Sequence, residues 1–112
     1  MGQAWIKLVA EEGAPIGESR DIADMLVATC LAAAASGDTS ALFDLGVAYS
    51  TGSHGVDCDL IEAHKWFNLA AVGGHDEAAQ CRADVADEMT AREIAEAQRR
   101  AREWLRSGRA AA

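Results

Sequence analysis

Residues 41–74 read ALFDLGVAYSTGSHGVDCDLIEAHKWFNLAAVGG, and the fold class can be predicted from the spacing of their apolar residues. Its second half places Ala63, Trp66, Phe67 and Ala70 at positions i, i+3, i+4 and i+7, the spacing that puts side chains on one face of a helix. Its first half also has apolar residues at helical spacing, and glycines and polar residues separate the two halves. The stretch therefore predicts two amphipathic helices joined by a short loop.

Helical spacing continues on both sides of this stretch. The single proline and the scarcity of β-branched runs argue against a sheet. Helices are predicted over residues 21–36, 39–51, 60–72, 76–89 and 90–106, with a short helix over 4–10 left open. The predicted inward face of the first helix consists of Ile22, Met25, Leu26, Thr29, Cys30 and Ala33. Because short connections make successive helices antiparallel neighbours, we expect an all-α fold of five to six helices in antiparallel pairs.

The charge of the chain excludes some classes of partner. The formal net charge is -8. This charge disfavours nucleic acid and anionic membranes as partners, because both are negatively charged and bind basic surfaces. Residues 1–89 carry 15 acidic and 4 basic residues, whereas residues 90–112 carry 3 acidic residues and 6 arginines. An acidic body followed by a basic C-terminal segment is thus the main electrostatic feature.

Cysteine usage and the start of the chain indicate a compartment. Cys30, Cys58 and Cys81 are odd in number and widely spaced, which is typical of reduced thiols. The first residues lack the long apolar stretch of a secretory signal, since Glu11 and Glu12 come early, and no spanning helix is expected. We therefore expect a cytoplasmic protein.

An internal repeat recurs at an offset of 37 residues. The pattern Ala33-Ala34-x-x-Gly37-Asp38-x-x-Ala41 returns as Ala70-Ala71-x-x-Gly74-His75-x-x-Ala78. In each copy paired alanines end a helix, and the glycine is expected to take the left-handed conformation that stops it. Between the copies, Gly46 is expected to let the next helix approach, Tyr49 and Trp66 to fill the space between the helices, and Asp59 to cap the second helix.

These positions closely resemble the Sel-one-like repeat family, a branch of the tetratricopeptide-like solenoids. One complete unit covers residues 41–74, and half units cover 21–37 and 75–89. The helix over 90–106, which begins with the capping box Thr90 to Glu93, resembles a tail found after such repeats in small bacterial proteins. The resemblance implies a right-handed α/α superhelix: a single domain over 1–112, with an N-terminal segment (1–19), a repeat core (21–89) and a C-terminal capping helix (90–106).

The family resemblance also implies a function, which is non-catalytic protein–protein interaction by an adaptor or scaffold. In this family the first helices of the units line the concave face of the solenoid. The candidate partner-binding residues are Phe43, Val47, Ser50, Glu77, Gln80, Asp84 and Asp87, with Ser40 beside them. Such a surface suits a basic protein or peptide with an apolar anchor. The alternative interpretation is a solvated acidic face with Phe43 partly tucked into the core.

The sequence gives little indication of a catalytic site or a metal-binding site. His54, Cys58 and His64 lie close together in sequence, but no C-x-x-C or H-x-x-x-H pair sets zinc geometry, and His64 lies beside Lys65, which is expected to face solvent. Asp57 and Asp59 allow two interpretations. They either form a loose calcium site or are solvated carboxylates of a loop. No glycine-rich phosphate loop and no marked oxyanion hole is present, so we expect neither an enzyme nor a cofactor.

The basic C-terminal helix leaves two interpretations open. Its arginines either lie against the acidic body of the same chain, as a solubilising cap, or reach a second copy. The second interpretation leads to the alternative function, a self-assembling, homodimeric structural subunit whose open solenoid ends pair. The arginines concerned are Arg92, Arg99, Arg100, Arg102 and Arg106.

Overall fold

Five α-helices and one turn of 3-10 helix follow one another along residues 16–111, the part of the backbone that the computed structural model describes; side chains are described over 22–53 and 55–107. No strand occurs within these residues, which confirms the all-α prediction. The helix left open over 4–10 lies outside the described residues. The helices are α1 (Ile16–Ala35), α2 (Thr39–Thr51), α3 (Leu60–Val72), α4 (Ala78–Ala86) and α5 (Ala91–Ala111), with the 3-10 turn at Ser53–Gly55.

The helix starts follow local capping chemistry. The carboxylate of Asp38 accepts hydrogen bonds from the backbone N–H groups of Ser40 and Ala41, and Asp59 caps α3 in the same way. The capping box predicted at the start of α5 is confirmed, since the Thr90 hydroxyl accepts from the Glu93 N–H at 3.1 Å and the Glu93 carboxylate accepts from the Thr90 N–H at 2.8 Å.

The repeat is visible in the backbone where α1 and α3 end. Gly37 and Gly74 both have positive φ, 97° and 99°, which a residue with a side chain rarely adopts. The N–H of Asp38 reaches the carbonyl of Ala33 at 3.1 Å, and the N–H of His75 reaches that of Ala70 at 2.9 Å. These bonds have the Schellman pattern, so the predicted left-handed helix stop is confirmed at both copies of the repeat.

The helices α2 and α3 are antiparallel. Thr39 at the start of α2 lies beside Gly73 after α3, and the Asp59 N–H before α3 bonds to the Tyr49 carbonyl near the end of α2 at 2.9 Å. The α3–α4 pair is joined by the Arg82 guanidinium, which donates to the Asn68 amide oxygen at 2.6 Å.

Small residues allow the helices to approach closely around two large anchors. Phe67 and Leu45 are the largest fully buried side chains, at 2% and 1% exposure, and Trp66 is buried beside them. Gly46 meets the ring of Phe67 where α2 and α3 cross, which confirms its predicted role. The alanines that are most deeply buried in this core are Ala63, Ala70, Ala78, Ala97 and Ala101.

The predicted inward face of α1 is wrong at Ile22, Met25, Leu26 and Thr29, which are exposed, and is confirmed at Cys30 and Ala33, which pack against the core. Ile22, Met25 and Leu26 are exposed at 53%, 69% and 40%, whereas α1 packs through the side that carries Val27, Leu31 and its buried alanines. The glycine turn after α1 determines how α2 folds back, and it brings the alanine-rich side of α1 against α2. The helix also begins at Ile16 rather than at Asp21, directly after Pro15, which favours a helix start. The buried or half-buried residues of α1 are Ala23, Val27, Cys30, Leu31, Ala33 and Ala34.

The basic helix α5 packs against α3 of the same chain. Arg100 bonds to Glu62 at 2.7 Å, and the Trp104 ring meets that of Trp66 edge-on, with 4.9 Å between centroids. Both contacts join residues 38 positions apart, so the two helices run in the same direction. Of the two interpretations of the arginines, contact with the same chain is thus seen at Arg100. None of the helices in residues 16–111 is long and apolar enough to cross a lipid bilayer.

Candidate partner-binding surface

Phe43 lies half-buried on α2 and is held by two rings. Its ring stacks on the imidazole of His75 at 4.2 Å between centroids with an interplanar angle of 8°, and it tilts against Phe67 at 5.5 Å. One side of Phe43 is therefore anchored on the core, while part of the side chain stays accessible. The position combines features of both interpretations of the sequence, an apolar anchor point and partial packing into the core.

The other candidate residues of α2 surround Phe43 at the spacing of one helix face. Val47 is half-buried and packs against the cluster of Ala63, Phe67 and Val85. The hydroxyl of Ser50 donates to the carbonyl of Val47 at 3.0 Å, so its donor is used within its own helix. Ser40, at the first turn, is exposed.

The candidate residues at α4 form an acidic row. Glu77, Gln80, Asp84 and Asp87 are all exposed, and the Gln80 amide donates to the Asp84 carboxylate at 3.0 Å. Cys81, half-buried, belongs to the same apolar cluster as Phe43 and Val47. Burial raises the pKa of the Cys81 thiol, and the neighbouring Asp84 and Glu77 raise it further. The raised pKa keeps this thiol protonated near neutral pH, and it packs as a small apolar residue of the cluster.

Together these residues form what we call the α2–α4 surface. The structure brings the two apolar residues of α2 and Cys81 of α4 around the same buried pair, Phe67 and Val85. Of the exposed carboxylates, those of Glu77 and Asp84 lie near enough to Cys81 to raise the pKa of its thiol. The surface is defined by Phe43, Val47, Ser50, Glu77, Gln80, Cys81, Asp84 and Asp87.

The role of His75 was not predicted from the sequence. This residue occupies the repeat position of Asp38, which caps α2, and the departure from the repeat was the available signal. Instead of capping a helix, His75 supplies the flat face on which Phe43 lies. The two copies of the repeat thus share a backbone turn but use the following side chain differently.

The surroundings of His64 and Lys65 differ from the prediction. His64 is buried, at 3% exposure, and its burial together with the nearby Arg82 lowers the pKa of the imidazole. The prediction that Lys65 faces solvent is wrong: its ammonium lies 4.1 Å from the centroid of the Trp66 ring and 5.8 Å from that of Trp104. The physical reason is α5, which covers this side of α3 and could not be placed from helical spacing alone.

Metal-ligating groups are scattered in the described part of the chain. Among the side chains of residues 22–53 and 55–107, no three of the His, Cys, Asp and Glu type come together as a metal site. Asp59 uses its carboxylate as a helix cap, and the Cys58 thiol, exposed, donates to the Ser50 carbonyl at 3.6 Å. The side chain of His54, the third member of the zinc hypothesis, lies outside the described residues. All three cysteines are free thiols.

Comparisons of the chain with protein-family models, with curated proteins and with solved structures gave no match in any of the three.

Proposed function

We propose that this chain is a non-catalytic adaptor that binds a protein or peptide on the α2–α4 surface. The observation that carries this proposal is Phe43, a large aromatic side chain that is held on His75 and Phe67 while remaining partly accessible. An aromatic group that is already fixed loses little conformational freedom when a partner packs on it, so more of the contact energy appears as affinity. The resemblance of residues 41–74 to Sel-one-like repeats supports the same function.

The chemistry of the surface selects the partner. An apolar side chain of the partner would pack beside Phe43 and Val47, and excluding water from this small floor would supply most of the affinity. Lysine or arginine side chains flanking that anchor would meet Glu77, Asp84 and Asp87, which are exposed. These charges would act mainly on the association rate and on the choice of partner. We therefore expect a basic peptide or protein with one apolar anchor.

The right-handed superhelix expected from the sequence fits this proposal. In that arrangement α2 and α4 are the first helices of consecutive units, and their outward residues line a concave face. A concave face shields an apolar anchor from water better than a flat one does. Phe43 would then lie at the floor of the groove, with the acidic row of α4 along one wall.

Affinity capture from a lysate of the source organism tests the proposal. The baits are the intact chain, Phe43→Asp with Val47→Asp, and a matched pair of charge reversals, Asp84→Lys on the α2–α4 surface and Asp24→Lys on α1. Both aspartates are exposed, so neither reversal should unfold the chain, and circular dichroism checks that every bait stays helical.

The proposal predicts that one protein is retained equally by the intact chain and by Asp24→Lys. Asp84→Lys should retain less of that protein, and Phe43→Asp with Val47→Asp should retain none of it. Adding salt should weaken retention by the intact chain more than retention by Asp84→Lys. If the same proteins bind all four baits, the α2–α4 surface is not the binding site and the adaptor function on this face is rejected.

A further inference from the structure

The last described turns of α5 carry an exposed apolar side chain between two arginines. Leu105 is 39% exposed, and Arg102 and Arg106 are exposed as well. Positions 105 and 106 follow position 102 by three and four residues, so the three side chains share one face of the helix. We call this group the α5 end. It combines one apolar side chain with two positive charges.

The arginines of the α5 end differ from their neighbours in pairing. Arg99 and Arg100 are both paired with Glu96, at 2.7 Å and 2.8 Å. Among the side chains of residues 22–53 and 55–107, in contrast, neither Arg102 nor Arg106 forms an ion pair. The charges of the α5 end are therefore available to a partner, while those of the preceding turn are used within the chain.

The surroundings of the other exposed apolar residues are different. Of the five large apolar residues that the described part of the chain leaves exposed, Leu105 is the one that the structure places between exposed arginines. Three of the others lie on α1 around Asp24, and Val72 has no lysine or arginine within four positions of it in the sequence. An apolar anchor flanked by bases, the chemistry that suits the α2–α4 surface, thus occurs in this chain at the α5 end.

We infer that the α5 end of one copy of this chain binds the α2–α4 surface of a second copy. The inference rests on the proposed function of that surface and names a partner for it. Leu105 packs beside Phe43 and Val47, and the two arginines meet the exposed carboxylates of Glu77 and Asp84. The apolar part of the α5 end is thereby covered by the apolar part of the surface, and its charges meet charges of opposite sign.

The contact joins two copies because α5 is already held against α3 of its own chain. The Trp104 ring meets that of Trp66 edge-on with 4.9 Å between centroids, and Arg100 bonds to Glu62 at 2.7 Å. With α5 fixed in this way, Leu105 remains 39% exposed, so the α2–α4 surface of the same chain does not cover it.

The contact is small and joins two different surfaces, so it is heterologous. One apolar side chain and a few charges make a smaller interface than a stable complex has, and the net charge of -8 on each copy opposes association. We therefore expect a dissociation constant on the order of 0.1–1 mM. A contact of this strength covers the α2–α4 surface only until a partner of higher affinity displaces the α5 end.

Sedimentation equilibrium of the full-length chain under reducing conditions, from about 20 µM to about 1 mM, measures this self-association. The weight-average mass of the intact chain should rise with concentration. Arg102→Glu on the α5 end and Asp84→Lys on the α2–α4 surface should each weaken association about fivefold or more. The matched controls make the same charge reversals at exposed positions outside the contact, Arg92→Glu at the start of α5 and Asp24→Lys on α1. Both controls should associate as the intact chain does, within about twofold.

Mixing the two weakened variants tests whether the contact joins these two surfaces. The Arg102→Glu chain keeps an intact α2–α4 surface, and the Asp84→Lys chain keeps an intact α5 end, so the mixture contains one unaltered pairing. An equal mixture should therefore associate more strongly than either variant alone at the same total concentration. A mixture that associates no better than its components would show that the two positions do not meet across the contact.

Two further results would overturn the inference. One is an intact chain that stays monomeric up to about 1 mM, and the other is an Arg102→Glu or Asp84→Lys variant that associates as its matched control does. A monomeric chain that still retains a lysate protein through Phe43 and Val47 would keep the adaptor function and lose this inference alone. Self-association that both variants weaken, together with a capture that retains no other protein, would support this inference and reject the adaptor function.

Discussion

Gly46 of α2 lies directly against the ring of Phe67 of α3. A Cβ atom added at Gly46 would stand 2.5 Å from Cδ1 and 2.6 Å from Cε1 of that ring, closer than two carbon atoms approach without displacement. Phe67 is 2% exposed and belongs to the cluster on which Phe43 and Val47 pack. The absence of a side chain at Gly46 therefore sets the distance between the two helices that carry the floor of the α2–α4 surface.

We expect Gly46→Ala to lower the free energy of unfolding by about 2 kcal/mol. Alanine favours helix over glycine by about 1 kcal/mol, but displacing a packed ring costs up to about 3 kcal/mol. Urea unfolding followed by circular dichroism measures the change. Ser40→Ala, at an exposed position of the same helix, should change stability by no more than about 0.5 kcal/mol. In combination with Phe67→Leu, the loss caused by Gly46→Ala should shrink, and an unchanged loss would contradict steric contact as its cause.

The contact of Trp104 with Trp66 should be the main attachment of α5. We expect Trp104→Ala to lower the free energy of unfolding by about 2–3 kcal/mol, since it removes a half-buried ring in edge contact with a buried one. Arg102→Ala, exposed on the same helix, is the matched control and should stay within about 0.5 kcal/mol of the parent. Urea unfolding gives both values, and near-ultraviolet circular dichroism should lose intensity in Trp104→Ala alone. Equal stability of the two variants would show that α5 is held by other contacts.

Helix positions were predictable where stop and start signals are local. The bounds of α2 and α3 match the prediction because Asp38, Gly52 and Asp59 act on backbone groups within a few residues. The predicted end of α4 is three residues late, since Met89 is followed by a capping box but no glycine marks the true end at Ala86. Helix ends are thus predictable from the sequence where a capping or stop residue acts within one helical turn. Where no such residue is present, the predicted end is less accurate.

Packing between distant segments was not predictable in the same way. The position of Lys65 depends on α5, which returns to α3 from 38 positions away, and the buried His64 has Arg82 of α4 nearby. The recurrence of Ala63-x-x-Trp66 as Ala101-x-x-Trp104 was a signal for this contact, because the two patterns share the offset of the observed pairs. On α1, in contrast, apolar spacing alone was misleading, because the side with Ile22 and Met25 and the side with Val27 and Leu31 both have helical spacing, and only the second packs against the core.

The carboxylate of Glu62 joins three partners of α3 and α5. It accepts from the Trp66 indole at 3.1 Å and from the Arg100 guanidinium at 2.7 Å, and it lies 3.6 Å from the Lys65 ammonium. We expect Glu62→Gln, which keeps the shape but removes the charge, to lower the free energy of unfolding by about 1–2 kcal/mol. Glu103→Gln is the matched control, since that carboxylate is also bonded to an arginine but is 59% exposed, and it should change stability by less than about 0.5 kcal/mol. Urea unfolding at constant pH compares them, and equal losses would refute a special role for Glu62.

Burial of His64 should make stability depend on pH. Its pKa is lowered from 6.5 by burial and by Arg82, so below pH 6.5 the unfolded chain binds a proton that the folded chain does not. The free energy of unfolding therefore falls as the pH drops from 6.5 toward the folded-state pKa, by at most about 1.4 kcal/mol per pH unit. His64→Met keeps an apolar side chain without the titration, and urea unfolding between about pH 7.5 and about pH 5 compares it with the parent. As the pH falls, the free energy of unfolding of His64→Met should rise relative to that of the parent. If the difference between the two proteins stays constant, His64 has the same pKa in the folded and the unfolded chain.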